Sequence, residues 1–364
     1  MLQSLLLIFV IALSPATQQP EVAAQFNRAV ALQQQGKLDE AAAEYRSVIK
    51  RKPDYAEAHA NLGAVLARMG KLNEAIASYE TALRLNPSLT PIKLNLGIAH
   101  YRAGQFAKAV EAFSGFLERQ PDSAQARQLM GISLVELGRD AEAIKQLEMN
   151  LLATAQDAAA LYSLGLAYLR LEKPELRWAI EQLEKLPAGR PASHLLKGQT
   201  YLAGREYERA IAELQAAEKL NPDLPKLNYS LGLAAQQLGR NKEALAAFEA
   251  ELRRSPQDRA TLYYLAYVNE AEGNLEAATK HLADLMKFDA ESPEGNALHG
   301  KFLFKQGKPA EAVKLLEKAA AKKSGDHELR YTLARVYQQL GRKEDAAREF
   351  AEVQKLKAEQ LKKD

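Results

Sequence analysis

Cysteine is absent from all 364 residues, which excludes disulfides, thiol chemistry, thiolate metal sites and a lipid-bearing cysteine behind a leader. Tryptophan occurs once and aromatic residues make up only 7% of the chain, so leucine and alanine must do most of the interior filling. Neither sign of charge dominates: 49 Lys and Arg stand against 46 Asp and Glu, a formal net charge of +3. Nucleic-acid binding calls for a basic stripe and a marked excess of positive charge, so no nucleic-acid partner is expected. Long apolar runs are lacking too, apart from residues 5–13, which fall short of the ~20 apolar residues of a membrane span. Followed by Ser14-Pro15-Ala16 and a polar stretch, that run reads as the core of an export signal over 1–16, with 17–21 as a linker and the mature chain starting near Thr17. The mature protein is then expected in the periplasm or outside the cell, with no integral membrane span. No Lys or Arg precedes the run, which leaves a short uncleaved anchor as the second reading and a packed cytosolic leader helix as the third.

Signals of chemistry are equally scarce. His59, His100, His194, His281, His299 and His327 are scattered, and no two flank a glutamate at the helical spacing of a metalloprotease. There is no Gly-Lys-Ser/Thr phosphate loop, no strand-turn-helix setting for a dinucleotide fingerprint and no serine flanked by glycines. Carboxylates alternate with cations, as in Lys37-Leu38-Asp39-Glu40, which is ordinary surface pairing. No catalytic residue, cofactor or metal is expected, and the chain reads as no enzyme.

What the chain does have is periodicity. A small residue recurs at Ala29, Gly63, Gly97, Gly131, Gly165, Gly198, Gly232, Ala266, Gly300 and Ala334, in steps of 34 except for one of 33. Twelve residues later comes a second series, Ala41, Ala75, Ala109, Ala143, Ala210, Ala244, Ala278, Ala312 and Ala346. Proline closes the repeat at Pro53, Pro87, Pro121, Pro222 and Pro256, and a further glycine splits it at Gly36, Gly70, Gly104, Gly138, Gly239, Gly273, Gly307 and Gly341. Such regularity marks a solenoid of stacked copies. Each repeat reads as two helices: in the second copy, 56–69 carries Leu62, Val65, Leu66 and Met69 at helical spacing, Gly70 ends it, and 73–85 returns with Ile76, Tyr79 and Leu83 inward. The small residues fall where the two helices cross closely, so a larger side chain at Gly63 or Ala75 would force the axes apart.

On these marks the chain resembles the tetratricopeptide repeat family, whose repeat of 34 residues has a small residue eighth, alanine twentieth and proline near its end. The resemblance covers 22–360 as ten repeats and implies an all-α, right-handed superhelical solenoid of antiparallel helix pairs. Repeats one to four fill 22–157 without adjustment. The fifth, 158–190, is a residue short and puts Arg177 where alanine belongs; with Pro174, Pro187 and Trp178 it reads as a seam or hinge between two sub-arrays, or equally as drift in one copy. Repeats six to ten occupy 191–360, and 361–364 is a polar tail. The last helix holds Lys355, Lys357, Lys362 and Lys363 beside Phe350, Val353, Leu356 and Leu361; it reads as a solvated cap to the stack, with docking to a membrane or partner, or pairing with a second copy, as the alternatives.

The family lines its inner groove with the first helix of each repeat, where positions two, five, six, nine, twelve and thirteen share a face. The sixth position is Asn27, Asn61 and Asn95 in the first three repeats. An amide offers donor and acceptor together, and a row of them resembles the peptide-gripping ladder of the O-linked N-acetylglucosamine transferase repeat domain. In repeats seven to ten the same face carries Tyr229, Tyr263, Tyr264, Tyr267, Phe304 and Tyr331 with Lys301, Lys305 and Arg335, a composition typical of protein contact surfaces. The fifth position is Phe26, Ala60 and Leu94, without the lysine of a carboxylate clamp. The resemblance therefore implies a scaffold holding an extended peptide or partner protein; the alternative is an assembly factor of an envelope complex working through its convex face or ends.

Overall fold

The computed structural model describes residues 20–360, so the apolar run at 5–13 and the tail at 361–364 lie outside the described residues. Those described form helices α1 (Pro20–Gln34), α2 (Leu38–Arg51), α3 (Ala56–Arg68), α4 (Leu72–Leu85), α5 (Thr90–Arg102), α6 (Phe106–Leu117), α7 (Ala124–Glu136), α8 (Asp140–Glu148), α9 (Leu151–Thr154), α10 (Ala158–Arg170) and α11 (Leu176–Lys185). Then come α12 (Arg190–Ala203), α13 (Tyr207–Leu220), α14 (Leu227–Gln237), α15 (Asn241–Arg254), α16 (Arg259–Ala271), α17 (Leu275–Phe288), α18 (Pro293–Lys305), α19 (Pro309–Lys322), α20 (His327–Gln339) and α21 (Lys343–Gln360). No strand occurs among the described residues, and none of these helices is long and apolar enough to cross a membrane. The chain divides into two compact bodies, up to Leu196 and from Lys197 onward. Each is a stack of helix pairs, an all-α helical solenoid.

The small-residue series does what its spacing predicts, against a definite partner. A methyl group built on Gly63 would come within 2.7 Å of the Tyr79 ring, on Gly97 within 2.6 Å of Phe113, on Gly131 within 2.5 Å of Leu147, and on Gly198 within 2.6 Å of Leu214. Gly232 meets Phe248 at 2.5 Å and Gly300 meets Leu316 at 2.6 Å. The obstacle is thus one large side chain of the second helix, sixteen residues on, seated over the first helix. Ala75, Ala109, Ala143, Ala244 and Ala312 are completely buried at the same crossings.

Repeat five keeps the contact by other means. The second helices of the other repeats start at position seventeen, whereas α11 starts two residues later. That shift brings Ala179 rather than Arg177 to Gly165, its Cβ 3.3 Å from where a Cβ on the glycine would stand, and Leu196 fills the seat over Gly165. Arg177 points to solvent and pairs with Glu181. Repeat four, which the sequence reads as regular, is broken in its second helix between α8 and α9. Buried Thr154 donates its hydroxyl to the Leu147 carbonyl at 2.9 Å, holding the break closed, and Leu152 is left 84% exposed.

All eight splitting glycines have φ between +70 and +80, the left-handed conformation that ends a helix without a Cβ penalty. Repeats five and six lack the glycine, and there Glu172 (φ 53) and Arg205 (φ 59) take the same conformation. Left-handed backbone costs a side-chain-bearing residue about 1–2 kcal/mol. Glu172→Gly and Arg205→Gly are therefore each expected to raise stability, by about 1 kcal/mol after the entropy of the unfolded glycine is counted. Urea denaturation of the single variants checks this, and an unchanged or lowered midpoint contradicts it.

Candidate functional site

Side chains on the first-helix face sit differently in the two bodies. In repeat two, Ala60, Asn61, Ala64 and Ala67 are all buried, so small residues close that surface on itself. The sixth-position amides share no common setting: Asn27 is exposed, Asn95 half-buried, and Asn61 only 1% exposed, against the Tyr45 hydroxyl of the preceding repeat. They present no continuous row to a ligand. The thirteenth position serves stacking, since Arg68, Arg102 and Arg170 donate to the carbonyls of Gln33, Ala67 and Val135 at 3.3, 3.1 and 2.9 Å. Each arginine thereby adds a second hydrogen bond to a carbonyl, at the end of the previous repeat's first helix, that already accepts the N–H of the splitting glycine.

The face that small residues close in repeat two is open in the C-terminal body. Tyr267, Lys301, Phe304, Tyr331 and Arg335 line one cleft of about 560 Å³ between α16, α18 and α20, together with Glu270 and Lys305. Position nine supplies its spine: Val30, Ala64, Ile98, Ile132 and Leu166 in repeats one to five give way to Tyr267, Lys301 and Arg335 in repeats eight to ten. Tyr267 is 38% and Tyr331 48% exposed, although both are large and partly apolar. The Arg335 guanidinium lies 5.6 Å from the centre of the Phe304 ring, and Lys305 is paired with Glu270. A second, smaller cleft of about 310 Å³ adjoins the first across Lys301, Tyr331 and Thr332 and reaches Glu328 and Lys357.

Beneath this surface the remaining tyrosines are structural support. Tyr264 stacks on buried Phe248 with ring centres 5.4 Å apart, and Tyr229 lies 6.0 Å from the same ring. Tyr263 bridges outward, edge-on to Tyr264 at 5.3 Å and stacked on Tyr267 at 6.3 Å; burial pushes its phenol up to about 12. The site residues named from sequence thus sort into an exposed set and a supporting set.

Two residues that anchor the support were missed by sequence reasoning. Glu251, in α15, is 2% exposed, and its carboxylate accepts the Tyr229 N–H at 3.3 Å in the first turn of α14. Helix starts favour negative charge because their N–H groups are unpaired. Lys226, left-handed at the start of the same helix (φ 63), pairs with Asp258, which itself caps α16 by accepting the Thr261 N–H at 2.8 Å. Burial opposes the charge on Asp258, but Lys226 and the Thr261 N–H outweigh it and hold its carboxyl below the usual value. Nothing in the periodicity marks either residue, since the position of Glu251 is apolar in most other repeats.

His100, His281 and His299 are packing residues here. Buried His100 shares a hydrogen with Gln105 through Nδ1 at 2.8 Å. Burial lowers His281 and His299 from their ordinary 6.5, with Lys280 adding to the effect at His281 and the carboxylates of Asp284, Glu249 and, for His299, Glu311 opposing it. The unfolded chain therefore binds protons first on acidification. The stability these rings contribute is complete above pH 6.5 and falls as pH drops through their folded values. Melting of the chain at about pH 5 is expected below that at about pH 7.5, with the difference shrinking in the His281→Gln, His299→Gln double variant. A difference untouched by that double variant contradicts the assignment.

Family models described as tetratricopeptide repeat match residues 56–89, 94–149, 229–293 and 303–361, and one described as TPR repeat matches 29–70 and 198–239. Among curated proteins, Tetratricopeptide repeat protein 28 of Mus musculus and that of Homo sapiens are each 39% identical over 57 residues, which is 16% of this chain and 2% of theirs. Among solved structures, a human IFIT1 dimer with m7Gppp-AAAA superposes with a TM-score of 0.56 at 14% identity, over 95% of this chain and 92% of that one. The human IFIT1 dimer with PPP-AAAA gives 0.52 at 15% identity, over 95% and 96%. At such identities the likeness to the solved structures is one of fold.

Proposed function

We propose, from the premise that this chain belongs to the tetratricopeptide repeat family, that it is a non-catalytic scaffold holding an extended segment of a partner protein. The segment lies on the first-helix face of the C-terminal body, across α16, α18 and α20. One observation carries this reading: the face that is closed by small buried residues in repeat two is open in repeats eight to ten and furnished with exposed Tyr267 and Tyr331 beside Lys301 and Arg335. Exposed tyrosine flanked by cations is the composition of interface hot spots. The helices beneath are already ordered, so a partner meets a formed surface and avoids the entropic cost of building one.

Tyr267→Ala and Tyr331→Ala are expected to weaken partner binding about tenfold or more each while changing stability by no more than about 0.5 kcal/mol. Paired affinity and melting measurements on both variants check this. Substituting Tyr264 instead would disturb the stack on Phe248 and confuse the two readouts. Partner binding unaltered by both exposed substitutions contradicts the proposal.

A further inference from the structure

We infer that the occupant of this cleft is an acidic peptide segment carrying one aromatic or large aliphatic anchor residue; the inference rests on the groove reading above and specifies its ligand. Many cations of the C-terminal body are paired on its other surfaces. Lys318 and Lys322 share Glu291, Lys323 pairs with Glu294, Arg342 holds both Glu317 and Asp345, and Arg348 reaches the same Asp345. Around Tyr331, unpaired cations and exposed rings come together in one place. Lys301, Arg335 and Lys357 form no ion pair with any described residue, although all three line the two adjoining clefts. With Lys305, four cations face two carboxylates, Glu270 and Glu328, and Glu270 is already taken by Lys305. A surface whose cations outnumber its carboxylates by two, next to rings it leaves exposed, is complementary to alternating negative and apolar groups.

The geometry fits a peptide better than a nucleic-acid strand. Lys301 and Arg335 occupy position nine of successive repeats, so they stand one repeat apart on a single face, and Tyr267, Phe304 and Tyr331 form the walls between and beside them. An extended peptide can set a carboxylate opposite each cation and turn the residue between them into the 560 Å³ cleft. A phosphodiester strand carries charge at every step and would have to pass Glu270 and Glu328 as well.

The test selects short random peptides displayed on phage against the full chain at low salt. The best sequence is then measured as a synthetic peptide, as its form with every Asp and Glu amidated, and beside single-stranded oligouridylate of equal length. Selected peptides are expected to place Asp or Glu around a Tyr, Trp, Phe or Leu, and amidation to weaken binding about tenfold. The Lys301→Gln, Arg335→Gln variant should lose the same factor for the acidic peptide and nothing further for the amidated one, a coupling that a structural role of these cations would not produce. Selected peptides without acidic enrichment, or oligouridylate binding more tightly than any of them, would overturn the inference. If neutral peptides are selected and Tyr267→Ala, Tyr331→Ala abolishes their binding, the groove reading stands and only the acidic ligand class falls. If no peptide is selected, or binding ignores both pairs of substitutions, both fall together.

Discussion

Gly97→Leu is expected to destabilise the N-terminal body by about 3 kcal/mol, at the upper end of what overpacking a core costs. A single added carbon at Gly97 already lies 2.6 Å from two atoms of the Phe113 ring, and leucine adds three more. The substitution also gains about 1 kcal/mol of helix propensity over glycine, so the net loss measures how rigidly the ring is held. Phe113 is fully buried, and Phe113→Ala alone is expected to cost about 3–5 kcal/mol through the cavity it leaves. The two losses should not add. In the Gly97→Leu, Phe113→Ala double variant the leucine enters the space the ring vacates, and the double should be more stable than the sum of the singles predicts. Gly115, one helix away in the middle of α6, gives the opposite sign. A Cβ there meets only the Lys93 side chain at 3.6 Å, so Gly115→Ala is expected to stabilise by about 1 kcal/mol. Urea denaturation of the four variants beside the unsubstituted chain decides the matter, and additive losses would show that ring and glycine do not interlock.

Phe248→Ala is the second large effect, and it joins fold to function. The ring sits over Gly232, stacks on Tyr264 and reaches Tyr229, so its removal is expected to cost about 3–5 kcal/mol. Tyr264 supports Tyr263, and Tyr263 supports Tyr267. Loss of Phe248 should therefore weaken partner binding as well, even though the side chain is buried and touches no ligand. Comparison with Tyr267→Ala separates the two kinds of residue: the surface tyrosine should lower affinity without moving the melting temperature, and the buried phenylalanine should lower both. A Phe248→Ala chain that melts lower yet binds with full affinity would show that the exposed tyrosines do not depend on the stack beneath them.

Much of this fold is legible in the sequence because one physical demand, close crossing of two helices, recurs at a fixed spacing and leaves glycine or alanine each time. The left-handed helix ends are legible for the same reason wherever glycine marks them. At Glu172 and Arg205 the conformation persists without the residue that advertises it, and only the backbone reveals it. Pro174 and Arg177 point to repeat five, but the two-residue shift that substitutes Ala179 is decided by how the loop before α11 closes. The break between α8 and α9 has no proline or glycine to announce it. At the site, residue type and position mark Tyr267, Lys301, Phe304, Tyr331 and Arg335, which meet in one cleft. They do not tell Tyr264 from Tyr267, because which tyrosine is covered depends on Phe248, contributed by another helix. Asn61 is the converse case, at a groove position yet closed off by Tyr45 from the preceding repeat.

Amide hydrogen exchange of the full chain, with and without a bound peptide or partner, tests the central claim most directly. Added protection is predicted in 259–271, 293–305 and 327–339, the three helices that build the cleft, with exchange in 56–68 unchanged. Protection concentrated in 56–68 and 90–102, with none gained across the C-terminal cleft, would contradict it.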